Sequence, residues 1–226
     1  MKKQATASSR GQVTREALLA AATEVFARDG FHAASLRDIA LAAGINQALI
    51  GYHFRNKEGL YLAVFENMVE QIRQRIGPLA DAIDAALKAP ENTPDRQARI
   101  DLYLPLLLRL TDGLLALMAS RESDNWGQLI LREQQMPTAA FAVFFDGVMG
   151  RVGSLLTQLV QRLREGDTAL EARLLVATIL GQVLVFRAAR AGVLRLLQWE
   201  RIGADELDMI RARIHRTVGA LLETGD

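Results

Sequence analysis

Cysteine is absent from the 226 residues, which removes both disulfides and thiolate metal sites. Histidine occurs three times, as His32, His53 and His215, and the residues three positions before them are Asp29, Ile50 and Ala212. None of these supplies the Glu-x-x-His pair that a di-iron helical bundle needs. A P-loop and a nucleophile elbow are missing as well. The sequence therefore offers no constellation for an enzyme, and no catalytic residue, metal or cofactor is expected. No apolar stretch follows Lys2, Lys3 and Arg10, so no secretory signal is expected. Long uncharged apolar runs are also lacking. Leu102 to Ala119 is interrupted by Pro105, Arg109 and Asp112, and Leu174 to Phe186 is thirteen residues long, where a span needs roughly 18 or more. Both runs read as buried helices of a cytoplasmic protein with no membrane partner. Five prolines and a 6% share of aromatics, set among abundant Leu, Ala and Arg, favour helix over sheet.

Half of the chain is apolar, enough for a sizeable core, and its net charge is only +1. The charge is unevenly spread: residues 1–60 hold eight Lys/Arg against five acids, and the remainder holds 19 basic against 21 acidic residues. A mildly basic head on a near-neutral body suits a head that meets phosphates. Residues 1–13 are polar and without periodicity, and are expected to be a disordered arm. Thr14 then caps a helix carrying Leu18, Ala22, Val25 and Phe26, and Asp29-Gly30 stops it. Ser35-Leu36-Arg37-Asp38 has capping-box spacing and opens a short helix that Gly44 breaks. Asn46 caps a third helix through about His53, and Asn56 caps a fourth that Gly77-Pro78 is expected to end. Two short helices separated by a glycine-containing turn, behind a longer first helix, describe a helix-turn-helix unit. Beyond Pro78 the spacing predicts helices near 79–88, 95–119, 125–135, 138–165, 168–197 and 204–223, with Pro90 to Pro94 as a loop. The fold class is all-α, with about nine or ten helices.

Ile45 to Tyr61 reads INQALIGYHFRNKEGLY. This stretch resembles the recognition helix and following turn of the TetR family of bacterial regulators. Phe26, Gly30, Ser35, Arg37, Ile39, Ala40, Ala43 and Gly44 fall in the family's register. Further on, Leu129-Ile130-Leu131-Arg132-Glu133, Met136-Pro137-Thr138, Phe141, and Gly181-Gln182-Val183 through Arg190 are similar to the CecR-like subgroup. The resemblance implies three regions: the arm 1–13, a DNA-binding domain over 14–56, and a ligand-binding and dimerisation domain over 57–226. It also implies a homodimeric repressor that holds a palindromic operator in double-stranded DNA and is released by a small-molecule inducer. Gln47 and Ala48 are then base-reading residues, since Gln pairs with adenine and Ala touches a thymine methyl. Arg37 reaches guanine or phosphate, Ser35 caps its helix at a phosphate, and Asn46 belongs to the same surface. Tyr52, His53 and Lys57 hold the DNA backbone. Gly51 stands where many members carry a bulky residue, so their base preference does not transfer.

The resemblance places the dimer interface on the last two long helices, at Ile179, Val183, Phe186, Arg190, Leu207, Ile210, Ile214 and Val218. An apolar cavity among the fourth to seventh helices is expected to hold the inducer. Its expected lining is Phe65, Met68, Leu107, Leu114, Met118, Trp126, Leu129, Phe141, Phe145 and Met149. Asp112, Arg132 and Glu133 are the expected polar anchors. Two alternatives share the same DNA-binding head: a C-terminal domain that only dimerises or binds a protein, and an activator.

Overall fold

A computed structural model describes residues 2–90, 95–119 and 123–223, with residues 2–10 and 223 described through their backbone only. The first helix, α1 (Lys2–Ala33), contains one break in its path, at Gly30, where φ is 80° and ψ is 167°. It is followed by α2 (Leu36–Ala43), α3 (Ala48–Phe54) and α4 (Lys57–Lys88). Then come α5 (Arg96–Ala119), α6 (Asp124–Gln135) and α7 (Ala139–Phe144). A π turn (Phe145–Met149) joins α7 directly to α8 (Gly150–Leu163), and α9 (Ala169–Ala188), α10 (Arg190–Leu197) and α11 (Ala204–Glu223) complete the chain. The described residues contain no strand, in line with the all-α expectation.

The chain forms two units by packing. One comprises residues 1–71 with 124–147, and the other comprises 72–123 with 148–226. The expected division fell at residue 56; by packing, the first unit runs on to residue 71 and takes in α6 and α7. In the first unit α1 packs against α2 and α6. Its core is Leu18, Ala22, Phe26, Ile39, Ile50, Leu60, Phe65, Met68 and Leu129, all completely buried. In the second unit α5, α8 and α9 pack against one another and α11 lies on α5 and α9. Ile83, Leu107, Leu110, Leu156, Leu159, Ala172, Ile179 and Val218 are completely buried there. Each large side chain removed from water contributes about 1.5–3 kcal/mol.

Several element boundaries differ from those expected. Residues 2–13, expected as a disordered arm, are helical from Lys2. The Lys, Gln, Ala and Arg there are good helix formers, and extending a nucleated helix costs far less than starting one. The fourth helix continues through Gly77-Pro78 to Lys88. Ile72, Ile76, Ala80, Ile83 and Leu87 are all buried, so one apolar stripe keeps its register across the proline. The helix expected over 138–165 contains the π turn. There a Cβ added to Gly147 would come within 2.6 Å of Val69 Cγ1, so the missing side chain permits the approach to α4. The helix expected over 168–197 breaks at Ala189, whose φ is −113° and ψ 27°. No proline or glycine stands at that position to announce it. Of the loop expected over Pro90 to Pro94, all but Pro90 lies outside the described residues.

By length and composition alone, α5, the α7–α8 run and α9 are long and apolar enough to cross a membrane. The expectation from the sequence counted only runs between charges and missed this. Within α5, however, Asp112 is 2.8 Å from His215 Nε2, a polar pairing placed mid-helix. A charge at such a depth in a bilayer is costly.

Candidate nucleic-acid interface and neighbouring cavities

The two short helices are fixed at both ends by their own sequence. Ser35 Oγ accepts hydrogen bonds from Arg37 N and Asp38 N at 3.1 and 3.2 Å, capping α2. Gly44 adopts the left-handed conformation at φ 65°, and its N–H reaches the carbonyls of Ala40 and Leu41. Ile45 N then donates to Ala40 O at 2.9 Å, closing the turn. Asn46 Oδ1 accepts from Ala48 N at 2.9 Å, so the cap of α3 is Asn46, and Gln47 is already helical at φ −52°, ψ −33°. Ile50 and Phe54 are buried and seat α3 on the core, with the Arg15 guanidinium 5.4 Å from the Phe54 ring centroid. The opposite face carries Ala48 and Tyr52, Gly51 lies at its flank and Gln47 stands at the N-terminal end, all four exposed, Tyr52 by 81%. Arg37 and Asn46 are also exposed, and Ser35, His53 and Lys57 are half-buried.

The link from α3 to α4 is tight. Arg55 has φ 68° and ψ −57°, and Asn56 N donates to Phe54 O at 2.8 Å, which makes a γ-turn of the rare positive-φ kind. Asn56 Oδ1 accepts from Gly59 N at 2.7 Å and caps α4. A Cβ on Gly59 would lie 2.1 Å from Phe54 O, so only glycine fits. Lys57 is partly committed inside the unit. Its Nζ donates to His32 O at 3.1 Å and sits 5.0 Å from the Phe31 ring centroid. Two of its three donors remain for a phosphate.

The C-terminal turn of α6 braces both α1 and α4. Arg132 Nη2 donates to Ala27 O and Arg28 O at 3.3 and 3.2 Å, placing a cation on the last carbonyls of α1 before the Gly30 break. Glu133, only 3% exposed, accepts from the Tyr61 hydroxyl at 2.9 Å and from Thr138 N at 2.8 Å. The Thr138 hydroxyl lies 3.0 and 3.1 Å from its two oxygens. Burial, the hydrogen bond to Glu133 and the charge of Glu133 together push the Tyr61 phenol well above its usual range. Tyr61 also packs edge-on to Phe26, with its centroid 5.0 Å from those of both Phe26 and Phe31.

The residues expected to line an inducer cavity are placed as follows. In the first unit Phe65, Met68 and Leu129 are completely buried, Trp126 is buried, Phe141 is half-buried and Phe145 exposed. In the second, Leu107 is completely buried and Leu114, Met118 and Met149 are half-buried. Asp112 pairs with His215 and, at 3.6 Å, with Arg211, both on α11. Arg132 and Glu133, expected as ligand anchors, already serve the fold. Within the first unit a cleft of about 440 Å³ is lined by Phe31, His32, Tyr61, Arg132, Glu133 and the 135–138 segment. A cavity of about 240 Å³ shares Phe31, Tyr61 and Thr138 with it and adds Glu58, Leu62 and Ala139. The sequence gives no local sign of this cleft, since Tyr61 and Glu133 are 72 residues apart.

Of the residues expected at a dimer interface, Ile179, Val183, Ile210, Ile214 and Val218 are buried within the single chain. Phe186, Arg190 and Leu207 are half-buried. On α9 the buried stripe is Ala172, Val176, Ile179 and Val183, while Leu170, Leu174, Leu184 and Val185 are exposed. The helix is apolar on both sides, so periodicity could not tell which faces inward.

A short helix with an exposed reading face, held behind a capped helix and a glycine turn, defines a helix-turn-helix regulator. The sequence model described as "Bacterial regulatory proteins, tetR family" matches residues 18–64. The one described as "HTH-type transcriptional dual regulator CecR, C-terminal domain" matches residues 106–224. The transcriptional dual regulator CecR of Shigella flexneri is 29% identical over 216 residues, which cover 95% of this chain and 93% of CecR. A TetR-like transcriptional regulator from Rhodococcus sp. RHA1 superposes with a TM-score of 0.60 at 16% identity, covering 93% of this chain and 96% of its own. FadR of Bacillus subtilis, solved with stearoyl-CoA, gives 0.57 at 18% identity, covering 93% and 98%. The chain belongs to the TetR family of transcriptional regulators and carries the C-terminal domain of the CecR type.

Proposed function

We propose that the protein is a homodimeric repressor that binds a palindromic operator in the cytoplasm and releases it when a small molecule binds. The observation that carries this reading is the exposed surface of α3, with Ala48 and Tyr52 opposite the buried Ile50 and Phe54, Gly51 beside them and Gln47 at the exposed N-terminal end. Gln47 and Ala48 read bases, and Arg37, Tyr52, His53 and Lys57 contact phosphates or neighbouring base edges. The exposed apolar face of α9, with Leu170, Leu174, Leu184 and Val185 around Ala177 and Gly181, supports self-association. Two recognition helices related by a two-fold axis then fall on successive major-groove turns. To move operator occupancy from 99% to 1%, an inducer must prefer the released state by about 5 kcal/mol.

Selection of random duplexes by the purified protein tests the reading, with an inverted repeat as the expected product. On that repeat, Gln47→Ala is expected to relax one base preference by about 1–3 kcal/mol, while Lys57→Ala weakens all duplexes alike. Equal losses on every duplex for both variants would remove Gln47 from the reading surface. A second reading, in which the bound protein also activates, is favoured by the dual mode named for CecR. Transcription from a promoter carrying the selected repeat, with and without the protein, separates the two.

A further inference from the structure

We infer that the cleft between the end of α1, the start of α4 and the α6–α7 turn is an effector site for an organic cation: a protonated amine carried on an aromatic body. The inference deepens the ligand-response reading above and rests on it for the effect on DNA, though not for binding itself.

The cleft's volume of about 440 Å³, extended by an adjoining 240 Å³, lies within the range of small-molecule sites. Its walls are Phe31, Tyr61, Met136 and Pro137, with Met136 exposed by 74% at the mouth. A flat apolar body is matched by such aromatic and thioether surfaces.

The sign of the charge follows from Glu133. This carboxylate is 3% exposed and lines the cleft, and the hydrogen-bond partners the fold gives it are neutral: the Tyr61 hydroxyl and the N–H and hydroxyl of Thr138. A buried charge without a countercharge is costly, and a ligand cation would supply one. Glu58 lines the adjoining cavity and adds a second carboxylate. Arg132 also lines the cleft, and its Nη2 is directed to the carbonyls of Ala27 and Arg28. The Lys57 ammonium lies 5.0 Å from the Phe31 centroid, so the ring stands where a cation is already accommodated. The consequence for function follows from the same residues. The cleft is walled by the groups that fix the end of α1 and the start of α4, the helices that enter and leave the reading pair, and Lys57 lies beside it. A second cation near Phe31 repels the Lys57 ammonium and competes for its ring.

The test uses the full-length, DNA-free protein and isothermal titration calorimetry with three probes of one shape: 1-naphthylmethylamine, 1-naphthylmethanol and 1-naphthoate. The amine is expected to bind about tenfold or more tightly than the alcohol, and the naphthoate weakest. Glu133→Gln is expected to remove about tenfold from the amine and leave the alcohol nearly unchanged. Because Glu133 also holds Tyr61 and Thr138, folding of that variant is checked by circular dichroism. Met136→Lys, at an exposed position, is the independent variant and is expected to weaken amine binding about tenfold by setting a like charge at the mouth, with the alcohol less affected. Tighter binding of the alcohol or the naphthoate overturns the inference, as does amine binding undiminished by Met136→Lys. Operator affinity measured with saturating amine is the separate arm. A fall supports the regulatory role, whereas an amine that binds in the cleft without altering operator affinity supports the site and counts against ligand-controlled release.

Discussion

A Cβ added at Gly30 would meet the movable end of a side chain, and one added at Gly59 would meet fixed backbone. At Gly30 the neighbour is the Arg132 guanidinium, with Nη1 2.7 Å from where a Cβ would stand, and φ is +80° besides. Gly30→Ala is therefore expected to cost about 1–3 kcal/mol in urea unfolding. Part of that cost is the clash, so it should shrink by about 0.5–1.5 kcal/mol in an Arg132→Ala background, and a double-mutant cycle measures the difference. Additive losses would separate Arg132 from the α1 terminus. At Gly59 the obstacle is backbone, Phe54 O, which cannot rotate away. Gly59→Ala is expected to lose about 2 kcal/mol or more and to weaken DNA binding with it. Tyr61 gives a pH signature. Its phenol is raised in the folded state, so the stabilisation is complete below the unfolded pKa of about 10 and is lost as pH rises above it. Urea midpoints at pH 8 and pH 10.5 should separate for the natural protein and converge for Tyr61→Phe.

At the scale of the element, α4 holds an exposed proline in its interior without ending there. Pro78→Ala restores a backbone donor and removes a ring from a continuous helix, and is expected to stabilise by about 1–3 kcal/mol in thermal or urea unfolding. No gain would mean the local bend is required by packing. The same helix shows what the sequence could convey. The caps Ser35, Gly44, Asn46 and Asn56 were legible because each acts within three or four residues of itself. The passage through Pro78 was not, because it is decided by the burial of α4's own stripe, Ile72, Ile76, Ala80, Ile83 and Leu87, against helices distant in sequence. Nor was the break at Ala189, which lies in a run of good helix formers. Arg132 and Glu133 were picked out as polar residues in an apolar setting, but their partners at Ala27, Arg28 and Tyr61 come from far along the chain.

At the scale of the molecule, family and all-α class were readable from Ile45–Tyr61 and the helical periodicity, whereas which face of α9 turns inward was not. The residues expected to meet a second copy, such as Ile179 and Val218, are spent inside one chain, and the apolar residues left outward on α9 are Leu170, Leu174, Leu184 and Val185. A charge placed among these should separate copies without disturbing the fold. Gly181→Glu, at an exposed position with open space around it, is expected to convert a dimer to a monomer in light scattering, with circular dichroism unchanged. Undiminished mass would locate the contact elsewhere. A monomer holds only one reading helix, so affinity for the inverted repeat should fall to that of a half-site.

The γ-turn at Arg55 has a consequence for anyone who would borrow the reading helix alone. A non-glycine residue at positive φ persists only where its surroundings over-determine it, and here they are Phe54 in the core, the Asn56 cap and the packed Gly59. A synthetic peptide copying Ile45–Tyr61 would lack that enclosure, straighten at Arg55 and uncoil. Miniaturised versions of this regulator must therefore keep the flanking helices, since the shape of the motif is imposed from outside it.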